Sequence, residues 1–373
     1  MITTVGNRDE LKQFLAFPKR LHQDDDHHVP VLEAWLYRRL KKAGPWNDES
    51  RLRLFMAKMG NELVGTTWVL RDKAHDKHNK GDEAAFFGFF ETIEDNEICD
   101  ALVDGAATQA RSWGAKILRG PRGLSRIDEM GVFIEGHGKP PFLAGHHPPY
   151  YRQLLESRGF KKQSDRVAYE IELDDGAGRP KPLPTKLEER ANKVDIPGLV
   201  IRPVAFRHVR RDLGLAHEVF VDAFRNVPEN TPMTRGQFVS VGSFFLAFAN
   251  TNMLQLATVN GQAAGFALCF PELNEALWRA RGVLLPAGWL RFLRGIGGIR
   301  TASWKLFGVM PEYRGSGLHA LLIRHAIEGI RIAGYNRLEA SLIDERNKPM
   351  RGIVESAGCT PYRRYRVFEL PLD

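Results

Sequence analysis

Cysteine is scarce in this chain: Cys99, Cys269 and Cys359 are the only three in 373 residues. They are odd in number and widely spaced, which excludes a disulfide framework and the paired spacing of a zinc knuckle. Long apolar runs are missing as well. No stretch approaches the roughly 18 uncharged apolar residues of a membrane-spanning helix. The first ten residues, MITTVGNRDE, have neither a basic start nor an apolar stretch, so no signal peptide is read there and a cytoplasmic location is expected. Blocks of like charge are also absent: 53 Lys+Arg against 45 Asp+Glu leave +8, scattered along the chain. Scattered charge is a weak warrant for nucleic acid, even with the aromatic–basic run Tyr362-Arg363-Arg364-Tyr365-Arg366, so a nucleic-acid partner is not expected. What is present is ordinary globular material, 43% hydrophobic and 26% charged, at a length that suggests two domains.

The division falls near residue 180. Asp174 to Thr185, DDGAGRPKPLPT, holds three prolines and two glycines and cannot build a helix or a central strand. The expected organisation is residues 1–173, a linker with a short helix over 174–198, and a second domain over 199–373. An internal repeat supports it. Leu155-Glu156-Ser157-Arg158-Gly159-Phe160 is followed by Arg166-Val167-Ala168-Tyr169-Glu170-Ile171, and Val354-Glu355-Ser356-Ala357-Gly358-Cys359 by Arg366-Val367-Phe368-Glu369-Leu370. Both copies read as a helix ending at a C-cap glycine, a short loop and a last strand.

Each half reads as mixed α/β. In the first, strands 51–59 and 62–71 meet across Gly60-Asn61, followed by an aromatic strand 84–91, a helix 96–114 and a strand 116–120. In the second, strands 254–259 and 265–270 flank Asn260-Gly261. A strand 303–309, helix 319–333, strand 337–343, helix 348–356 and strand 365–370 complete it. The expected fold class is α/β, two domains each with a mostly antiparallel mixed sheet flanked by helices.

The stretch with most chemistry in it runs Leu306-Phe307-Gly308-Val309-Met310-Pro311-Glu312-Tyr313-Arg314-Gly315-Ser316-Gly317-Leu318-His319-Ala320. A strand ends, a proline prevents its continuation, two glycines let backbone approach a ligand, and a helix begins. Unpaired N–H groups at a helix start, with the dipole behind them, form an anion site suited to a pyrophosphate. No Gly-Lys-Ser/Thr follows, so this is not the Walker loop, and the three spaced glycines of a dinucleotide loop are absent.

Here the sequence resembles the GNAT superfamily of acyl-CoA-dependent N-acyltransferases, whose loop reads Arg/Gln-x-x-Gly-x-Gly/Ala. Arg314 and Gly317 match and His319 departs. The resemblance covers most of residues 199–370 and includes Asn347 after the next strand and Gly358 eleven residues on. It implies that the backbone of Phe307, Gly308 and Val309 pairs with pantetheine. It further implies that Arg314, Gly315, Ser316, Gly317, Leu318, His319 and Ala320 bind the pyrophosphate, and that Asn347 meets the cofactor near its thiol end. Acetyl-CoA or another acyl-CoA is then the co-substrate, with a small-molecule or peptide amine as acceptor and no metal. Two catalytic positions of the superfamily are altered: Val354 stands where a tyrosine acid is usual, and Leu342 where a carboxylate base is usual. Glu339, Asp344 and Glu345 are the substitute bases, and Tyr362 and Tyr365 the substitute acids. A non-catalytic acyl-CoA-binding or sensor protein is the alternative.

The first half has no such loop. Its equivalent, Phe86 to Glu97, carries Glu91, Glu94, Asp95 and Glu97, charges that would repel a pyrophosphate, so this copy is expected to be degenerate. It has other polar clusters: Gly120-Pro121-Arg122-Gly123, Glu135 to Pro141, and His146-His147-Pro148-Pro149-Tyr150-Tyr151, the last expected to anchor a loop against the core. His22, His27 and His28 with Asp24, Asp25 and Asp26 read as a solvated loop and helix cap. Residues 277–299, apolar and basic, read as an insertion: Pro286 and five glycines argue against a long amphipathic helix, and a lid, a pocket wall or packing on the first domain is favoured. Neither the acceptor nor the oligomeric state is written in these motifs.

Overall fold

A computed structural model describes all residues except 31–32, 41–49, 125–127, 226, 228–232, 247, 281–287 and 373. The first half runs β1 (Ile2–Thr4), α1 (Arg8–Leu21), α2 (Glu33–Leu40), β2 (Ser50–Met59), β3 (Glu62–Asp72), α3 (Lys73–His78), β4 (Ala84–Thr92), α4 (Asn96–Ser112), β5 (Ile117–Gly120), β6 (Val132–Gly136), α5 (Tyr150–Ser157) and β7 (Lys161–Glu172). The second runs α6 (Thr185–Asn192), β8 (Leu199–Pro203), α7 (Val209–Ala223), α8 (Arg235–Leu246), β9 (Leu254–Val259), β10 (Gln262–Pro271), α9 (Leu273–Arg279), α10 (Gly288–Ile296), β11 (Thr301–Val309), α11 (Leu318–Ile332), β12 (Arg337–Asp344), α12 (Lys348–Ser356) and β13 (Thr360–Pro371). No helix among the described residues is long and apolar enough to cross a membrane.

The chain forms two compact units. The first comprises Met1–Arg166, Leu277–Gly295 and Arg363–Asp373; the second comprises Val167–Ala276 and Ile296–Tyr362. In the first unit β1, β2, β3 and β4 pair antiparallel in sequence order, and β4 pairs parallel with β5. The C-terminal part of β13 lies antiparallel to β5, Phe368 opposite Gly120, and Arg363 to Arg366 pair with β6. In the second unit β8, β9, β10 and β11 pair antiparallel, and β11 pairs parallel with β12.

Local chemistry accounts for the element ends. Asn7 caps α1, its side chain accepting from the amides of Asp9 and Glu10 at 3.0 Å each, with Asp9 and Glu10 in the first turn and Lys19 and Arg20 in the last. The Asn260-Gly261 hairpin has φ of 51° and 80° at its two central residues, the pair of positive values that a tight hairpin of this twist requires. The two repeat termini match bond for bond. After α5, Gly159 (φ 90°) donates to Glu156 O and Phe160 to Leu155 O; after α12, Gly358 (φ 90°) donates to Glu355 O and Cys359 to Val354 O. Val354 itself is fully buried in the second core, beside Ala357 and Cys359. The strands run longer than their apolar patterns: β13 starts at Thr360, β10 at Gln262 and β7 at Lys161. Ladder hydrogen bonds carry the polar ends along with the apolar centres. α1, α7 and α8 were not expected.

Candidate functional site

In the second unit the parallel ladder between β11 and β12 runs only from Thr301 opposite Arg337 to Trp304 opposite Ala340, although β11 continues to Val309 and β12 to Asp344. Beyond Trp304 the register against β10 slips by one residue, which places Lys305 at a bulge. On its other side β11 stays paired, Leu306 to Val309 lying opposite Leu268 to Gly265. Among the described residues one edge of Phe307, Gly308 and Val309 therefore has no strand partner, on the side where β12 has left. A Cβ on Gly308 would stand 3.1 Å from Ala223 Cβ and Val219 Cγ1 of α7, a tight fit.

The loop follows at the C-terminal end of the same strand. Pro311–Tyr313 make one 3-10 turn, and Gly315 and Gly317 then take φ of 84° and 87°, conformations in which a side chain would be strained. Ser316 Oγ donates to Tyr313 O at 2.7 Å and accepts from the Leu318 amide at 3.3 Å, so the loop is held by its own atoms. Gly317 is the N-cap of α11 and supplies no side-chain acceptor. Among the described residues the amides of Gly315, Gly317 and His319 have no acceptor, and the exposed Arg314 guanidinium has no partner. His319 is half-buried; burial, then the charge of Arg190, holds its pKa below the ordinary histidine value. A Cβ on Gly315 meets nothing within 4 Å, whereas one on Gly317 would stand 2.9 Å from Arg190 O and 3.0 Å from Val194 Cγ2. Asn347, just past β12, caps α12 by accepting from the Met350 amide at 3.2 Å, which leaves its Nδ2 group available as a donor.

The candidate acids and bases have different surroundings. Glu339 on β12 is 2% exposed, accepts from Ser303 Oγ, lies 3.7 Å from Lys305 Nζ, and leaves its Oε1 without a partner. Lys305 reaches Ser341 Oγ at 2.9 Å. Ser303 and Lys305 were missed from sequence; their only signal was their place on the strand before the loop. Asp344 is tied up, accepting from the Arg346 amide at 2.8 Å and from its guanidinium at 3.0 and 2.7 Å. Glu345 is half-buried in the turn after β12, and its carbonyl accepts from Arg351 Nη1. Tyr362 is buried with the Arg337 guanidinium 6.0 Å from its ring. Tyr365 belongs to the first unit, fully buried, its hydroxyl accepting from Arg363 Nε at 2.9 Å.

The corresponding place in the first unit is built differently. β4 and β5 pair only over Ala84–Phe86 and Ile117–Arg119, but the chain beyond β5 stays bound: the Arg122 amide donates to Phe87 O at 2.8 Å, and Trp68 Nε1 donates to Arg122 O at 3.1 Å. The gap is shut so tightly that a Cβ on Gly88 would lie 1.9 Å from Arg122 O. The Arg122 side chain bonds Asp72 at 2.7 Å and covers the Phe86 ring at 3.9 Å. α4 is capped by Asp95, whose carboxylate accepts from the Ile98 amide at 3.1 Å. A fixed anion already occupies the helix start.

Two sequence expectations need correcting. Glu91 is no bare repelling charge: its side chain is only 12% exposed, His22 Nε2 lies 2.6 Å from its carboxylate, and Tyr151 donates to it at 2.7 Å. Burial alone would raise its pKa, but His22 holds it lowered. Nor is the His22 to His28 stretch merely a solvated loop. His22 is 6% exposed; burial opposes its charge, and the Glu91 carboxylate overrides burial to raise its pKa. The His28 ring lies 4.6 Å from that of His22 with both nitrogens buried and without hydrogen-bond partners among the described residues, and burial, then the charge of His22, pushes its pKa down to about 4. Position along the chain could not show that α1 folds back and delivers these rings to the end of β4. The Pro-Pro-Tyr-Tyr expectation holds: Tyr151 is fully buried, and Tyr150 donates to Thr92 O at 2.7 Å.

Asp25, His27 and His146 each bring one metal-competent atom within 4.8 Å of the others. His146 Nδ1 accepts from Arg363 Nη2 at 3.1 Å, which keeps the ring proton on Nε2, the atom 3.2 Å from Asp25. That proton and the adjacent guanidinium both oppose a cation there.

These two units define a tandem GNAT fold. A tandem GNAT protein from the clavulanic acid biosynthesis pathway matches with a TM-score of 0.58 at 16% identity, covering 100% of this chain and 98% of that one. A GCN5-related N-acetyltransferase from Sphaerobacter thermophilus matches with a TM-score of 0.53 at 16% identity, covering 100% and 96%. Among curated proteins the chain is similar to Protein YghO of Escherichia coli (strain K12), 28% identical over 376 residues, 99% of this chain and 95% of the relative. It is also similar to the bacterial ceramide synthase of Caulobacter vibrioides (strain NA1000 / CB15N), 28% identical over 380 residues, 100% and 97%. No family model matches the chain.

Proposed function

We propose that the protein is an acyl-CoA-dependent N-acyltransferase whose acyl-CoA sits on the second unit. One observation carries the reading: a helix start whose N-cap is a glycine, with three amides that find no acceptor among the described residues, directly after a strand whose partner has peeled away. The amides of Gly315, Gly317 and His319, with Arg314, hold the pyrophosphate; the free edge of Phe307–Val309 pairs with pantetheine; Asn347 Nδ2 donates near the thioester. The acceptor amine attacks the thioester carbonyl carbon, the C–N bond forms, the C–S bond breaks, and the amine's proton must leave while the thiolate gains one. Glu339, with its unpartnered Oε1, takes the proton, and the Lys305 ammonium beside it supplies a proton toward the departing sulfur.

The end-to-end similarity to a ceramide synthase suggests the acceptor class. Ceramide is the amide of a fatty acid and a long-chain amino alcohol, so we assign a long-chain amine as acceptor and a fatty acyl-CoA as donor, with acetyl transfer to a small amine as the second reading. Free CoA release is to be measured with palmitoyl-CoA and with acetyl-CoA, each against sphinganine and a short-chain amine. Release with the long-chain pair supports the first reading and release with the short pair the second. Binding of acyl-CoA without release with any amine would make this a sensor. In the Glu339→Gln variant, turnover is expected to fall about a hundredfold with acyl-CoA affinity unchanged.

A further inference from the structure

The surface around α10 is built against the usual logic of an exposed helix. Phe292 is 2% exposed and Gly295 is buried, so that side is turned inward. The opposite side should be polar throughout. It presents instead Leu290, 56% exposed, and Leu293, 46% exposed, together with the exposed Arg291 and Arg294. At 100° per residue these four share one arc, with the leucines side by side and the arginines next to them. Arg279, at the end of α9, reaches Gly295 O at 3.3 Å and ties the two helix ends together. Beside it Trp278 is 36% exposed, its indole N–H satisfied by Asp26 O at 2.7 Å and its ring covered by Lys139 Nζ at 3.0 Å.

The charge on this segment is of one sign. From Ala276 to Pro311 the sequence contains Arg279, Arg281, Arg291, Arg294, Arg300 and Lys305 and not one Asp or Glu. A chain with 45 acidic residues in 373 would place about four in 36 positions, so the segment departs clearly from its own protein. Exposed leucines alone would suit many partners. Exposed leucines interleaved with arginines, a tryptophan and a lysine, with no acidic residue on the helix, fit an interface that is apolar below and anionic above.

We propose that α10, with Trp278 and Lys139, is a docking surface for an anionic lipid bilayer. The leucines enter the acyl boundary, while the arginines stay at the level of the lipid phosphates and keep their stems along the apolar layer. A nine-residue helix with two exposed leucines gives reversible, peripheral attachment and not insertion. This surface stands independently of the acyltransferase reading, because binding is read without any substrate.

The test is co-sedimentation of the full chain with vesicles of phosphatidylcholine alone and of phosphatidylcholine mixed with phosphatidylglycerol. Binding to the mixed vesicles is expected at least tenfold tighter and should weaken as salt is raised. Arg291→Gln with Arg294→Gln should weaken it about twentyfold, and Leu290→Ser with Leu293→Ser at least tenfold; both pairs leave Phe292 in place, and an unchanged melting temperature confirms the fold. Equal binding to both vesicle types, or binding unaffected by either pair, would overturn the proposal. So would a concentration-dependent dimer abolished by the leucine pair, which would assign the face to a second copy of the chain.

Discussion

The two units carry the same fold and opposite answers to one question: what sits at the start of the helix that follows the central strand. In the first, Asp95 caps α4 with its own carboxylate, and the chain after β5 returns to bond β4 through Arg122 and Phe87. In the second, Gly317 begins α11 with no side chain to offer, and nothing among the described residues accepts from the Gly315 and Gly317 amides. One copy satisfies its helix dipole from within; the other leaves it open, which is what the proposed acyl-CoA site requires. Both units keep the scaffold, down to matching glycine caps after α5 and α12, while the helix start is capped by a carboxylate in one and begun by a bare glycine in the other.

The largest effect should come from disturbing the closed copy. Gly88→Ala puts a Cβ 1.9 Å from Arg122 O and 2.4 Å from Trp68 Nε1, both in fixed positions. A loss of about 3 kcal/mol or more is expected, read as a fall in the denaturation midpoint, because backbone cannot step aside as a side-chain tip would. A neutral result would mean that the first unit's gap is looser than its hydrogen bonds indicate.

The next contrast concerns ligand and not stability. Arg314→Glu should weaken acyl-CoA binding by about 10- to 100-fold with an unchanged melting temperature, since Arg314 is exposed and unpartnered. Asp95→Ala in the first unit should leave that affinity unchanged and cost about 1 kcal/mol of stability through the lost cap.

Acid should act on the first unit through His28. Its folded pKa of about 4 lies below the ordinary 6.5, so the unfolded chain binds the proton more readily. Its contribution is therefore fully present above pH about 6.5 and is lost as pH falls from there toward about 4. His22 has the opposite sign: its raised pKa stabilises below the ordinary value and is lost as pH rises through the folded one. Replacing His28 by Phe should remove about 1–2 kcal/mol from the destabilisation between pH 7 and pH 4.5, measured by denaturant titration at both. An identical pH dependence in the variant would remove His28 from the account. The smallest effect is that of Asn347→Ala: about 1 kcal/mol from the α12 cap and a severalfold loss of acyl-CoA affinity.

Much of the second unit was legible in the sequence, because its features are local. Pro311, Gly315 and Gly317 announce where a strand must stop and a helix begin, and Asn260-Gly261 announces its hairpin. The different chemistry of the first copy's helix start was also legible, in Asp95, but the surroundings of Glu91 were not. Glu91 was read as repulsive, whereas the structure pairs it with His22 and Tyr151, residues 69 and 60 positions away. The backbone closure by Arg122 has no sequence signature at all. Ser303 and Lys305 were invisible for the same cause: only the pairing of β11 with β12 brings them to Glu339. Long-range register decides such contacts, and periodicity in one strand does not report it.

The most direct test is calorimetric titration of palmitoyl-CoA, and of acetyl-CoA, into the unaltered protein and into Gly315→Glu. Gly315 is the better site than Gly317 because a Cβ there meets nothing, so the variant adds charge and local backbone strain without colliding with α6. The expected result is one acyl-CoA per chain, bound by the unaltered protein and lost in the variant. Two per chain, or one per chain that survives Gly315→Glu, would contradict the assignment of the open anion site to the second copy alone.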